Sequence, residues 1–210
     1  MLVSLKVRSS VSALSELYEE IANCRQCDLA RQRTKVVPGE GAEDAAIAFI
    51  GEAPGWHEDQ QGRPFVGPAG QFLEELLASI GQKRQQVYIC NVLKCRPPGN
   101  RDPLPTEIKT CQQWLDRQLQ LLHPKMIVTL GRYSMARFFP GETISKVHGK
   151  ARKEGGLICF AMYHPAAALH QQKLRETIQA DMLKIPALLA ETEKAPETKT
   201  GDKPQQLSLL

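Results

Sequence analysis

Short apolar runs of strand length alternate with helical patterns along most of the chain. Buried strands are predicted over residues 45–50, 87–93, 126–130 and 157–162. The stretches between them carry apolar residues at three- and four-residue spacing, the period of a helix that packs on one face. This alternation predicts an α/β protein: a three-layer α/β/α fold whose central sheet is four-stranded and mainly parallel.

Helices are predicted on both sides of these strands. Their expected positions are residues 12–23, 69–80 and 106–122, a short helix ending at Phe139 and a last helix ending at Leu189. The loops with unusual residues all follow strands, at 51–68, 91–105, 131–134 and 163–170. Because the carboxyl ends of parallel strands share one edge of the sheet, a ligand is expected to bind where these loops meet.

The end of the chain differs in composition from the rest. Residues 1–190 are predicted to form one domain, and residues 191–205, rich in Glu, Thr, Lys and Pro, are typical of a disordered linker. The closing residues Gln206-Leu207-Ser208-Leu209-Leu210 resemble the bacterial sliding-clamp-binding motif. That resemblance implies a replication sliding clamp as a partner, and a frayed terminus is the alternative.

Composition narrows the class of protein. Hydrophobic residues make up 42% and charged residues 24% of the 210 residues, which excludes a fibrous or wholly disordered chain. No apolar run approaches the roughly 20 residues of a membrane helix, and no secretory signal is recognisable, so a cytoplasmic monomer is expected. The net charge of +4 is compatible with a nucleic-acid partner without establishing one.

Four of the six cysteines form two spaced pairs. Cys24 and Cys27 are separated by two residues, and Cys95 and Cys111 by fifteen. In a reducing compartment such thiols are metal ligands or core residues rather than disulfides. The spacing favours a four-thiolate metal site over scattered structural thiols, and it does not separate zinc from an iron–sulfur cluster. The other two cysteines lie in apolar strand patterns and are assigned to the core: Cys90 and Cys159.

Three motifs at the strand ends carry polar or conformationally special residues. The loop Gly51-Glu-Ala-Pro-Gly55 offers a backbone that a ligand can approach closely, and a tight turn with one exposed acid is the alternative. Asn91 is a carboxamide at the end of an apolar strand, where it requires hydrogen-bond partners. His164-Pro165 also follows a strand, and taken alone it fits a structural histidine as well as a functional one.

Together these motifs resemble the family 4 uracil-DNA glycosylases. The matching blocks are residues 51–55 (GEAPG), 62–67 (GRPFVG), 87–101 (VYICNVLKCRPPGNR) and 164–169 (HPAAAL). Their order and spacing agree from about residue 24 to residue 189. The resemblance implies an enzyme that flips uracil out of single- or double-stranded DNA and hydrolyses its N-glycosidic bond, leaving an abasic site. It also implies a [4Fe–4S] cluster held by the four spaced cysteines: Cys24, Cys27, Cys95 and Cys111.

The same resemblance implies a role for each pocket residue. Phe65 is expected to stack on the flipped uracil, and Asn91 to donate to its O4 and accept from its N3–H. His164 is expected to donate to O2 and so stabilise the departing anion. The base edge is expected to meet backbone groups of the first motif: Gly51, Glu52 and Ala53.

Charged residues complete the expected site. Glu52 or Glu58 is expected to orient water or balance the positive charge on the sugar, and Glu58 has the alternative role of excluding thymine at the 5-position. Arg96 and Arg101 are expected to contact DNA phosphates.

Two rival functions remain at this point. A related group of proteins becomes covalently trapped on uracil-DNA through a histidine in a basic loop, but residues 96–103 contain no histidine, which favours turnover. The rival from another class is a non-catalytic nucleic-acid-binding module that a cluster or zinc ion stabilises.

Overall fold

A computed structural model describes residues 12–169 and 171–194 of the chain. Its central sheet has six strands in the order β1-β3-β2-β4-β6-β5. The strands are β1 (Glu40–Gly41), β2 (Ile47–Gly51), β3 (Tyr88–Asn91), β4 (Met126–Leu130), β5 (Ala151–Glu154) and β6 (Leu157–Met162). Adjacent strands among β3, β2, β4 and β6 are parallel, whereas β1 and β5 pair antiparallel at the two edges.

The predicted four-stranded sheet corresponds to the parallel centre, and the two edge strands correct the strand count to six. Neither edge strand has a sequence pattern that reveals it. Strand β1 has only two residues, and β5, with the sequence Ala-Arg-Lys-Glu, is exposed along its whole length. A strand without a buried face has no apolar alternation to read.

The helices cover both faces of the sheet. They are α1 (Ala13–Asn23), α2 (Leu29–Gln32), α3 (Trp56–Gln61), α4 (Pro68–Ser79), α5 (Pro105–Leu122), α6 (Arg132–Phe138), α7 (Ile144–Val147), α8 (Gln172–Met182) and α9 (Ile185–Lys194). The predictions of α1, α4 and α5 are confirmed to within two residues at each end. The last predicted helix is instead two helices, α8 and α9.

Helix α9 continues to Lys194, four residues past the predicted end of the domain at residue 190. Residues 191–194 are therefore helical rather than part of a linker. The remainder of the predicted linker and the tail Gln206–Leu210 lie outside the described residues.

The core is split by the sheet into two apolar clusters. Alternate residues of β2 point to opposite faces, so that Ile47 and Phe49 pack with α4 and α8, whereas Ala48 and Ile50 pack with α1 and α5. This arrangement confirms the three-layer α/β/α fold. Cys90 and Cys159 are buried in the cluster under α1 and α5, as predicted. No helix in the described part of the chain is long and apolar enough to cross a membrane.

Candidate functional site

The carboxyl edge of the sheet holds a cavity of about 390 Å³, formed by the loops after β2, β3 and β6. This volume lies in the range of small-molecule sites. The cavity brings together most of the residues that the sequence analysis selects: Glu52, Ala53, Glu58, Phe65, Asn91, Arg101 and His164. Arg96 is not among the residues that line it.

Asn91, the last residue of β3, presents an unsatisfied acceptor. Its side chain is only 2% exposed, and within the described residues its Oδ1 atom has no hydrogen-bond partner. A buried acceptor without a donor costs about 1–3 kcal/mol of free energy of folding. The folded protein therefore carries a carbonyl oxygen suited to an N–H or O–H group of a ligand.

Gly51 lies opposite Asn91 on the neighbouring strand β2. A Cβ atom at this position would lie 2.3 Å from Asn91 Oδ1 and 2.7 Å from the ring edge of Phe65. Both distances are far below van der Waals contact, so any side chain here would displace the amide and the ring. Glycine is therefore required to keep Asn91 and Phe65 side by side.

Phe65 has a backbone conformation that few residues other than glycine adopt. Its φ of +52° is in the left-handed region, and its ring is buried and stacked near His164, with 5.6 Å between the ring centroids. The strained turn is held by Arg84, whose Nη1 donates to the Phe65 carbonyl at 3.0 Å. A Cβ at Gly70 would lie 1.9 Å from the same carbonyl, so α4 also packs directly against the turn.

His164 has a fixed tautomer. The backbone N–H of Ala166 donates to its Nδ1 at 3.1 Å, so the proton of the neutral ring is on Nε2. Burial lowers the pKa of His164 to about 4, although the negative charge of Glu58 acts in the opposite direction. At neutral pH the imidazole is therefore uncharged and offers Nε2–H as a donor.

Glu52 titrates near neutrality. Burial raises the pKa of its carboxyl to about 7, the charge of Asp102 adds to the increase, and the charge of Arg132 opposes it. A carboxylate with a pKa near the working pH is suited to hold or accept a proton. The backbone carbonyl of Glu52 accepts from Leu93 N–H at 3.0 Å. This hydrogen bond links the loop after β2 to the segment after β3.

Glu58 is used to connect two loops. Its Oε1 accepts from the backbone N–H groups of Val66 and Gly67, at 2.9 and 3.0 Å, and its Oε2 accepts from Gly55 N–H at 3.1 Å. Both oxygens of the carboxylate are therefore engaged by the protein backbone. The geometry favours a positioning role for Glu58 over the expected action on water.

The two arginines expected at the DNA backbone already have partners in the protein. Arg101 forms a two-pronged pair with Glu107, at 2.9 and 2.6 Å, and Arg96 donates to Asn100 Oδ1 at 2.6 Å. The pairing of Arg101 compensates its charge and holds the loop before α5. It therefore weakens the case for Arg101 as a phosphate contact.

The four spaced cysteines pack against one apolar cluster. Cys24 and Cys27 lie around the loop between α1 and α2, Cys95 on the loop after β3 and Cys111 on α5. Burial raises the pKa of Cys95, and it raises the pKa of Cys111 to about 12. Arg33 Nη1 donates to Cys95 Sγ at 3.1 Å, and the Lys94 backbone N–H donates to Cys111 Sγ at 3.4 Å.

The region around these four cysteines is suited to a bound metal ion or metal cluster, which would stabilise their thiolate forms. Without one, burial favours the protonated thiols of Cys95 and Cys111, whereas the N–H···S contacts are of the kind that tune metal-bound sulfur. Across residues 12–169 and 171–194, no three His, Cys, Asp or Glu side chains converge on a point that suits a single metal ion. None of the six cysteines, all of which lie in the described ranges, forms a disulfide.

Two buried cations were not selected from the sequence. Arg84 lies in a short 3₁₀ turn before β3, and Lys94 lies between Asn91 and Cys95. Arg84 has no sequence signal, because an arginine before a strand is usually exposed. Lys94 has a weak one, since it directly follows an apolar run and directly precedes a cysteine.

This is an α/β protein with a cavity at the carboxyl edge of its sheet. The unsatisfied amide oxygen makes the cavity a site for a small ligand that carries a hydrogen-bond donor. Comparison with known proteins gives the family. The uracil-DNA glycosylase superfamily model matches residues 38–185. Type-4 uracil-DNA glycosylases of Archaeoglobus fulgidus and Sulfurisphaera tokodaii are each 48% identical, covering 83% of this chain and 92% and 84% of their own lengths. That of Thermotoga maritima is 42% identical over 81% of this chain and 92% of its own.

The chain belongs to the uracil-DNA glycosylase superfamily, within its type-4 group. The resemblance read from the sequence motifs is thereby confirmed.

Replacing Glu58 tests its positioning role. We expect Glu58→Ala to lower the free energy of unfolding by about 1–3 kcal/mol, because backbone N–H groups of two loops lose their acceptor. Glu58→Gln keeps one carbonyl oxygen and is expected to lose less. Urea unfolding measures both, with Glu19→Ala, at an exposed position of α1, as the control. A midpoint for Glu58→Ala equal to that of the control would show that these contacts contribute nothing.

Proposed function

We propose that this protein excises uracil from DNA by hydrolysing the bond between the base and the sugar, which leaves an abasic site. The observation that carries the proposal is the buried, unsatisfied Oδ1 of Asn91, a residue that lines a cavity large enough for a base. Uracil has an N–H group, N3–H, that satisfies this acceptor.

Base selection follows from the two ends of the Asn91 amide. Its oxygen accepts from uracil N3–H and its nitrogen donates to O4. Cytosine presents the opposite pattern, an acceptor at N3 and a donor at N4. The amide oxygen would then face an acceptor, and the amide nitrogen would face a donor. A site built to hydrogen-bond one pattern rejects the other strongly, because its buried polar groups are left unpaired.

The position of Asn91 requires that the base leave the DNA stack. The amide is buried and belongs to a residue that lines the cavity, so a base that stays inside a duplex does not reach it. Phe65 provides an aromatic surface beside the amide, and stacking on such a surface offsets about 1–3 kcal/mol of the unstacking cost. Glycine at position 51 lets the amide and the ring lie beside each other, because a Cβ atom there would clash with both.

His164 stabilises the leaving group. As the bond to the sugar breaks, negative charge develops on the uracil and its O2 becomes a stronger acceptor. A neutral imidazole that donates Nε2–H meets that charge without first losing a proton, and the contact strengthens in the transition state.

Glu52 orients water or faces the positive charge that develops on the sugar. Only the carboxylate performs either task, and its pKa of about 7 makes this form abundant at and above neutral pH. Glu58 acts indirectly in this proposal, by holding the two loops on which Glu52 and Phe65 are placed.

The cofactor in this proposal is a [4Fe–4S] cluster bound by Cys24, Cys27, Cys95 and Cys111. Support comes from the burial of Cys95 and Cys111, from the N–H···S contacts and from the type-4 relatives. A cubane cluster takes one thiolate at each iron, so its four cysteines need not converge as they do around one ion. When bound, the cluster supplies cross-links between segments rather than reaction chemistry: it ties α1, α5 and the loop after β3 together.

The proposal also covers the substrate and the binding partners. DNA containing uracil, single- or double-stranded, is the macromolecular substrate, and Arg96 is the better candidate of the two arginines for a phosphate contact. Binding of a sliding clamp by Gln206–Leu210, a cytoplasmic location and a monomeric state remain predictions.

The experiment that tests the function is a cleavage assay. Protein is incubated with a labelled oligonucleotide containing one uracil, and abasic sites are revealed by alkaline cleavage. The matched control carries thymine at the same position. We expect cleavage of the uracil strand alone. Binding of both strands without release of uracil would overturn the proposal in favour of the non-catalytic module.

Asn91→Ala is expected to reduce kcat/KM for uracil excision on the order of 100-fold or more, because two base contacts are lost. The fold and the bound iron are expected to be unchanged. Asn23→Ala, at an exposed position at the end of α1, is the control. Near wild-type excision by Asn91→Ala would remove the base-reading role from this residue.

The excision rate is expected to rise with pH through about 7 and then level off. The active form of Glu52 is its carboxylate, which is lost as the pH falls through its raised pKa of about 7. His164, with a pKa of about 4, stays neutral throughout this window. Single-turnover rates between pH 5.5 and 8.5 measure the profile. Glu52→Gln should lower the plateau rate at least tenfold and flatten the rise with pH. Glu176→Gln, at an exposed position, is the control and should keep the wild-type pH profile.

Removal of a proposed cluster ligand is expected to release iron. Cys95→Ala and Cys111→Ala should lower the iron bound per chain and the absorbance near 400 nm. Cys159→Ala, a buried cysteine on β6, removes a thiol from the same core cluster and is expected to keep its iron. Equal iron content in all three variants would contradict the four-cysteine assignment.

A further inference from the structure

Lys94 is a fully buried lysine at the carboxyl end of the sheet. It follows β3 by three residues, and its side chain is only 1% exposed. Lysine is among the residues least often buried, because its ammonium group is costly to remove from water. A buried lysine therefore requires specific partners.

The contacts of Lys94 reach both the uracil pocket and the cysteines. Its Nζ donates to the backbone carbonyl of Asn91 at 2.7 Å, and its backbone N–H donates to Cys111 Sγ at 3.4 Å. Its own carbonyl accepts from Val37 N–H at 2.8 Å, which fixes the backbone of this segment. One residue thus contacts the base-reading asparagine and a proposed cluster ligand.

The charge of Lys94 is not balanced by a carboxylate. In the described ranges 12–169 and 171–194, no Asp or Glu forms an ion pair with its ammonium group. Its nearest links to acidic side chains are to cysteines: Lys94 directly precedes Cys95, and its backbone N–H lies 3.4 Å from Cys111 Sγ. The counter-charge is thus to be sought among sulfur atoms.

We propose that Lys94 is a positioning residue that couples the cluster to the uracil pocket. Its ammonium group balances the negative charge of the cluster thiolates and holds the Asn91 carbonyl, so that the Asn91 amide stays aligned with the base. This inference rests on the proposed cluster and on the proposed role of Asn91.

The cluster and the ammonium group of Lys94 stabilise each other electrostatically. Four thiolates around a [4Fe–4S] core leave a net negative charge, which a nearby buried cation stabilises. In return, the thiolates stabilise the ammonium that holds the end of β3. If the cluster is lost, the ammonium is left buried without a counter-charge, and the Asn91 carbonyl loses a well-placed donor.

Two substitutions separate the charge from the hydrogen bond. Lys94→Met removes both and keeps the approximate length of the side chain. Lys94→Gln removes the charge but keeps an N–H donor toward Asn91. Lys109→Met, at an exposed position of α5 two residues before Cys111, removes the same charge from the surface. The measurements are iron content, the reduction potential of the bound cluster, and the dissociation constant of free uracil.

We expect both Lys94 variants to shift the reduction potential to more negative values, because loss of a nearby positive charge disfavours the added electron. The surface variant should shift it much less. Uracil binding should weaken on the order of tenfold in Lys94→Met and less in Lys94→Gln. If Lys94→Met does not fold, Lys94→Gln carries the test of the potential.

The charge role would be overturned if the cluster in both Lys94 variants had the same reduction potential as in Lys109→Met. Unchanged uracil binding in Lys94→Met would overturn the positioning role. Absence of iron from the wild-type protein would instead refute the proposed cofactor, an outcome distinguishable from a failure of Lys94.

Discussion

The pairing of Gly51 with Asn91 across the parallel strands β2 and β3 is the constraint on which the site depends. Register places the two residues opposite each other, and the missing Cβ leaves room for Asn91 Oδ1 and the Phe65 ring to pack beside Gly51. The cost is a buried oxygen without a hydrogen-bond donor. In the proposed function, the N3–H group of uracil supplies this donor, so that base binding recovers part of the cost.

The loops around this pair are held by buried charged groups rather than by apolar packing alone. Glu58 joins the loop after β2 to the turn that carries Phe65, and Arg84 holds that turn from the other side. Lys94 holds the end of β3 itself. Each group fixes backbone atoms of a loop that would otherwise have several accessible conformations. In the proposed function, the reading of a base therefore depends on charged residues that do not touch it.

The parts of the fold with a clear apolar pattern were predictable. The four parallel strands are buried on both faces and stand out as short apolar runs. Helices α1, α4 and α5 each bury one face, so their sequences carry the helical period. Strand β5 and the division between α8 and α9 lack such a pattern. In the site, Asn91 was predictable because a carboxamide is unusual in an apolar strand. The loop-joining role of Glu58 and the burial of Arg84 depend on contacts between distant segments, which no local pattern encodes.

The central claim is that Asn91 Oδ1 recognises the N3–H group of uracil. The most direct measurement compares the dissociation constants of free uracil and 3-methyluracil for the wild-type protein, for example by NMR titration. The methyl group removes the donor and leaves the rest of the ring intact. The account predicts that uracil binds and that 3-methyluracil binds at least tenfold more weakly. Equal affinity for the two bases would contradict it.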